Sequence, residues 1–128
     1  MEVNYLLDTN TAIDYLDNKL PSHSAELIDS IPIYISVISR MELLIWPNAS
    51  FEHLQVLNLF IKASFVYNLD EAIVLKTVEL RKAYKIKLPD AIIAATAIVF
   101  GLTLISRNLR DFNKITDLKT IDPHTPLV

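Results

Sequence analysis

Leu88-Pro89-Asp90-Ala91-Ile92-Ile93-Ala94-Ala95-Thr96-Ala97-Ile98-Val99-Phe100-Gly101-Leu102-Thr103-Leu104-Ile105 decides the fold class. A proline in the first turn and a glycine stop bracket a helix. The run Leu102 to Ile105 then lacks the polar alternation of a half-solvated strand. A largely apolar strand that follows an apolar helix belongs to a parallel sheet buried on both faces. The same theme recurs outward from this stretch. Tyr5-Leu6-Leu7, Ile33-Tyr34-Ile35 and Phe65-Val66-Tyr67 read as short buried strands, with a weaker last one through Lys119-Thr120-Ile121. Between them, helical stretches carry Ala12, Ile13, Tyr15 and Leu16, then Ile38, Met41 and Ile45 behind a Ser36 cap and before Pro47. Phe51 to Ala63 is helical, and Ile73, Thr77, Leu80 and Tyr84 share one helical face behind an Asp70 cap. The alternation predicts a three-layer α/β/α domain over 1–128, a short parallel sheet with helices on both faces.

Composition narrows the chemistry. Of 128 residues, 52% are apolar and 21% charged, with mean hydropathy +0.32, which excludes a disordered chain. So much apolar material on a small domain is expected to be covered partly by a partner. Twelve basic against fifteen acidic residues give a net charge of −3, so attraction to a polyanion must come from a local patch. The absence of cysteine removes disulfides, thiolate metal sites and thiol nucleophiles. Gly101 is the single glycine, and neither a glycine-rich phosphate loop nor a dinucleotide fingerprint can be built from it. The start, Met1-Glu2-Val3-Asn4, lacks the basic region of a secretory signal. The apolar stretch from Ala91 to Phe100 falls short of the roughly 18 residues that span a bilayer. A cytoplasmic protein without membrane contact is expected.

Ligands of parallel sheets collect outside the carboxyl ends of the strands, and acids stand at those places. Asp8 directly follows the first strand. The run Asp8-Thr9-Asn10 also suits helix capping, and Asn10 is the expected cap, leaving Asp8 to face the edge. Glu42 sits among Met41, Leu43 and Leu44, so partial burial and a partner are expected, with Ser39 one turn earlier on the same side. Asp90 opens the apolar helix, where the dipole keeps a carboxylate ionised, and Ala91, Ala94, Ala95 and Ala97 allow close approach to the sheet. Beyond Ile105, polar groups crowd in Ser106-Arg107-Asn108-Leu109-Arg110-Asp111-Phe112, with Phe112 anchoring the turn. Singly, these acids read equally as a cap, a solvated helical face, a dipole partner and an ordinary polar loop. Together at one edge they call for a cation. Hard ions such as Mg²⁺ or Mn²⁺ take oxygen ligands and support phosphoryl chemistry.

Leu6-Leu7-Asp8-Thr9-Asn10, Ser36-x-x-Ser39-x-x-Glu42, Leu88-x-Asp90-x-x-Ile93-Ala94-Ala95-x-Ala97 and Leu104-Ile105-Ser106-Arg107-Asn108-x-x-Asp111-Phe112, in this order, resemble the PIN domain. The size is most like VapC-type toxins of toxin–antitoxin systems, and the resemblance covers almost the whole chain. It implies a Mg²⁺- or Mn²⁺-dependent endoribonuclease that hydrolyses RNA phosphodiester bonds with metal-activated water, leaving 5′-phosphate and 3′-hydroxyl ends. It also implies inhibition by a cognate antitoxin inserted into the acidic cleft. By position, Asp8 and Asp90 would be the principal metal ligands, Glu42 would complete the site directly or through water, and Asp111 would be the fourth acid. Asn10, Ser39, Ser106, Arg107 and Asn108 would be supporting or RNA-contacting groups. Two positions depart from the pattern: Ser106 stands for the usual threonine, and Asn108 for a frequent aspartate, which leaves either Asp111 or Asn108 for the fourth place.

Arg81, Lys82, Lys85 and Lys87 precede Asp90, while Arg107 and Arg110 flank the last acid. Such residues are usually solvated, but cations at the rim of an acidic site would meet phosphates, Arg107 first. His23, His53 and His124 have no metal-ligand spacing and suit surface or capping roles. Trp46, Phe51, Leu54, Leu57 and Phe60 read as core or as a groove for an antitoxin helix, and a homodimer contact would cover further apolar surface. Other readings are a haloacid-dehalogenase-like or receiver-like phosphoryl-transfer domain and a catalytically silent PIN-fold binding module. The dehalogenase pattern needs a second acid where Asn10 stands, and the receiver pattern needs an adjacent acidic pair that is not evident.

Overall fold

The computed structural model describes residues 3–125; Met1, Glu2 and residues 126–128, and with them the ends of the expected domain and the first residues of its start, lie outside the described residues. Five parallel strands, β1 (Tyr5–Leu7), β2 (Tyr34–Ser36), β3 (Phe65–Tyr67), β4 (Thr103–Ile105) and β5 (Thr120–Ile121), form one sheet in the order β3-β2-β1-β4-β5. The helices are α1 (Thr9–Leu16), α2 (Ser22–Ser30), α3 (Val37–Leu44), α4 (Phe51–Ala63), α5 (Glu71–Ala83), α6 (Leu88–Val99) and α7 (Leu109–Phe112).

Pleating divides the apolar residues between two cores, as an α/β/α sandwich requires. Leu6 and Leu104 pack with Ile73 and Leu80 of α5, Ile93 of α6 and Phe112 of α7. Leu7, Ile35 and Ile105 face the other way, toward Ala12, Ile28, Leu43, Leu57 and Phe60. Helix α6 is buried continuously from Ala91 to Ala97, which its alanines permit by admitting neighbouring backbone closely. The hydroxyl of Thr96, its one polar side chain in that stretch, donates to Ile92 O at 2.8 Å. Gly101 ends the helix at φ +66°, the left-handed conformation expected of a C-terminal glycine.

Ser36 and Asp70 cap α3 and α5 as expected. Helix α2 was not expected from the sequence, since Ser22–Ser30 buries only Ser24 and Ile28 and so shows little apolar period. The cap of α1 is a correction. Asp8, rather than Asn10, is the N-cap, because the chain turns helical immediately after β1; Oδ1 of Asp8 accepts from Thr11 N at 2.8 Å. Asn10 lies inside the helix and is exposed.

The chain order reverses between β1 and β4: β1, β2 and β3 extend to one side, β4 and β5 to the other. The groove above that junction, at the strands' carboxyl ends, is the expected ligand position of such a sheet.

Candidate active site

Two residues end the central strands, and they meet. Asp8 and Ser106 follow β1 and β4, whose register pairs Leu7 with Ile105. The Ser106 hydroxyl donates to Asp8 Oδ2 at 2.5 Å, and its oxygen accepts the Asn108 N–H at 3.0 Å. Thr11 strengthens the junction by donating through Oγ1 to Ile105 O at 2.9 Å. Asp8 therefore does what a cap and an edge ligand would each require, one with each carboxylate oxygen. A carboxylate has about four acceptor positions, and these two bonds leave the others open. Burial pushes the Asp8 carboxyl above its ordinary range, against the opposing pull of the Ser106 and Thr11 hydrogen bonds.

Asp8, Thr9, Asn10, Glu42, Asp90, Ile93 and Asn108 line one small pocket of about 90 Å³. Glu42 enters from α3 and accepts from Thr9 Oγ1 at 2.6 Å, while Thr9 Oγ1 lies 3.0 Å from Ser39 Oγ. A hydroxyl has one proton. Thr9 spends it on the carboxylate, so the fully buried Ser39 is the donor to Thr9, and a chain Ser39–Thr9–Glu42 holds the acid.

Asp90 stands in the first turn of α6, half-buried. Its carboxyl is raised first by burial and then by the negative charges of Asp111, Glu42 and Asp8, with Lys87 opposing. The four acids expected at the edge thus share one electrostatic field. Asp111 sits on α7, which Phe112 pins into the core, and its Oδ2 accepts from Asn108 Nδ2 at 3.1 Å. The two alternatives for the fourth place are one hydrogen-bonded pair, with Asn108 on the pocket.

All donors here are hard oxygens, the set that Mg²⁺ or Mn²⁺ prefers. Among the described residues, no three acids or histidines close tightly enough to hold an ion by themselves. The donor types therefore suit such an ion only where water or substrate oxygens complete its coordination.

Arg107 is half-exposed and lies with Nη1 3.3 Å from Oδ2 of Asp14, a buried acid that the sequence reading passed over. His124 Nε2 donates to the same oxygen at 3.0 Å. His53 closes a capping box with Ser50 on α4 and His23 Nε2 contacts Thr125 O, surface and capping roles as expected, whereas His124 supports the buried Asp14. Thr9 joins the site without standing out in the sequence, where only its place in the Asp-Thr-Asn run signals it. Leu57 and Phe60 are core, but Phe51 and Leu54 are exposed, so part of the expected apolar neighbourhood faces outward, where Met41, Leu44 and Ile45 are exposed as well. No helix among the described residues is long and apolar enough to cross a membrane.

A family model described as PIN domain matches residues 5–118. Similar solved structures include a toxin–antitoxin complex from Klebsiella pneumoniae, 31% identical, covering 96% of this chain and 100% of that one with a TM-score of 0.77. DNA-bound VapBC from Salmonella typhimurium is 32% identical over 94% and 98% of the two chains, with a TM-score of 0.78. VapBC-1 from nontypeable Haemophilus influenzae is 26% identical over 96% and 100%, with a TM-score of 0.82. No match is found among curated proteins.

Proposed function

The chain belongs to the PIN-domain family, and on that premise we propose that it is a VapC-type toxin, a cytoplasmic endoribonuclease that requires Mg²⁺ or Mn²⁺ and is silenced by a cognate antitoxin. The observation that carries the reading is that Asp8, Glu42 and Asp90 line one pocket at the β1–β4 switch point, with Asp111 bonded to Asn108 at its edge. Such a concentration of negative charge is stabilised by a cation. The match sets aside the dehalogenase-like and receiver-like readings.

Asp8 and Asp90 would hold the ion, with Glu42 acting directly or through water. When bound, the ion supplies charge neutralisation at the phosphate and activation of the attacking water. The protein's own part is positioning. Ser106 and the Thr11 N–H orient the Asp8 carboxylate, and the Ser39–Thr9 chain orients Glu42 toward the pocket. Asn108, steadied by Asp111, presents an amide at the same pocket. In the hydrolysis, the water oxygen bonds to phosphorus, the bond from phosphorus to the 3′ oxygen breaks, and that oxygen leaves with a proton. Arg107, positioned by Asp14, is a phosphate contact at the rim.

For the partners, the exposed Met41, Leu44, Ile45 and Phe51 around α3 and α4 suit an antitoxin segment, and exposed Leu75, Val78 and Leu88 suit a second copy of the chain. The similar structures include a toxin–antitoxin complex from Klebsiella pneumoniae and VapBC assemblies from Salmonella typhimurium and Haemophilus influenzae, which supports an antitoxin as partner.

The test is cleavage of RNA by the purified chain in Mn²⁺ against EDTA, with end-group analysis. Metal-dependent 5′-phosphate and 3′-hydroxyl ends are expected. Intact RNA in every metal would instead identify a catalytically silent module.

A further inference from the structure

Beside the acid pocket lies a second, larger groove of about 570 Å³ whose walls include Arg81, Tyr84, Lys85, Lys87, Asp111 and Lys114. Three separate elements build it. Arg81 comes from the last turn of α5, Lys85 and Lys87 from the connector into α6, and Lys114 from the segment after α7. Lys114 Nζ donates to Lys85 O at 2.6 Å, which ties the far wall to the connector. Four cations therefore surround one carboxylate, on a chain whose net charge is −3.

None of Arg81, Lys85, Lys87 and Lys114 forms an ion pair among the described residues, whereas Lys19, Lys76 and Arg107 each do. Uncompensated like charges held around one groove raise the local potential and select an anion. The groove also adjoins the acids. Asp111 lies on its wall and bonds Asn108, which lines the acid pocket, and the charge of Lys87 is felt at Asp90.

We propose that this groove seats the sugar-phosphate backbone of single-stranded RNA next to the phosphate that is cut. The proposal rests on the ribonuclease reading, and it moves the main phosphate contact from Arg107, which shares its charge with Asp14, to the unpaired cations of the α5–α6 connector. A phosphodiester strand reaching the acids must cross a region that repels it. A cationic track on one flank offsets that repulsion without placing a cation among the ligands. An acidic peptide is the other polyanion of matching charge. It would gain nothing from lying beside the acids, whereas the groove joins the acid pocket through Asp111 and Asn108, as a strand to be cut there requires.

The experiment measures binding of a short mixed-sequence single-stranded RNA to the Asp90→Asn chain, with and without the added pair Arg81→Gln and Lys85→Gln, across a salt series. Both added positions are exposed, and melting curves with the single Arg81→Gln variant check that the fold is kept. Loss of two phosphate contacts lowers the slope of log K against log salt by about 1.4, from roughly 0.7 per neutralised phosphate on a single strand. The charge-matched pair Lys62→Gln and Lys119→Gln leaves it unchanged. An unchanged slope in the groove variant, equal losses in both pairs, or no RNA binding at all overturns the proposal. Polyglutamate binding is measured on the same variants, and a loss confined to it also overturns the proposal. Cleavage by the wild-type chain is assayed in parallel, so that binding through the groove without cleavage identifies failure of the nuclease reading alone.

Discussion

The Ser106 hydroxyl donates to Asp8 Oδ2 at 2.5 Å, joining the ends of β4 and β1 through two buried side chains. Groups that hydrogen-bond to a ligating carboxylate tune its orientation, and removing them typically costs about 10–100-fold in metal affinity or activity. Ser106→Ala is expected to weaken Mn²⁺ binding, measured by calorimetry, by that range and to lower stability by about 1–3 kcal/mol, the cost of leaving a buried charged acceptor short of a donor. Ser106→Thr keeps the hydroxyl and restores binding.

Asp8 and Asp90 both have carboxyls raised above the ordinary value of 3.8, each chiefly by burial, and Asp90 further by Asp111, Glu42 and Asp8. Between 3.8 and the raised values the folded chain binds more protons than the unfolded one, so these groups make stability fall as pH rises through that window. Above it the penalty stays constant. In EDTA, Asp90→Asn removes part of the penalty. Its melting temperature relative to wild type is therefore expected to increase as pH rises from 3.8 through that window and to level off above it, and Mn²⁺ should stabilise the wild type more than the variant at neutral pH. A variant-to-wild-type difference that shrinks as pH rises would reverse the sign.

Phe112 is 1% exposed and fixes the four-residue helix that carries Asp111. Phe112→Ala is expected to cost about 3–5 kcal/mol, as large-to-small changes of a buried phenylalanine do. A lowered urea midpoint with loss of activity checks it, while Phe112→Leu should recover most of both.

Thr9→Val removes the donor to Glu42 and the acceptor for the buried Ser39 while keeping the side-chain shape. Activity is expected to fall about 10-fold or more, as for other outer-shell partners. The slower turnover should appear with little change in KM for RNA, because Glu42 would lose its orientation while the RNA rim stays intact.

The apolar runs made the sheet legible, since the adjacent pairs Leu6-Leu7 and Leu104-Ile105 put one apolar side chain on each face of the sheet. Strand bounds moved by about one residue: β2 runs Tyr34–Ser36 rather than from Ile33, and β4 starts at Thr103. Helix α2 was hidden because Ser24, a polar residue whose hydroxyl bonds Pro123 O, occupies one of its two buried positions. At the site, residue type and order located the acids. Their supports were less legible. Thr9 and Asp14 act through partners far away in sequence, Ser39, Glu42, Arg107 and His124, and no local pattern announces such pairings. The choice of Asn10 as cap failed for a related reason, because a carboxylate with two oxygens can cap a helix and face a pocket at once.

The most direct measurement compares Mn²⁺-dependent RNA cleavage by wild type, Asp8→Asn and Asp90→Asn, each with a melting curve. Asparagine can still cap α1 and still fits the first turn of α6, so both variants are expected to melt cooperatively near the wild type. Their cleavage is expected to fall at least ~10²-fold, the scale set by losing an electrostatic contact to the reacting group. Full cleavage by either folded variant would contradict the assignment of the acids at the β1–β4 junction as the catalytic centre.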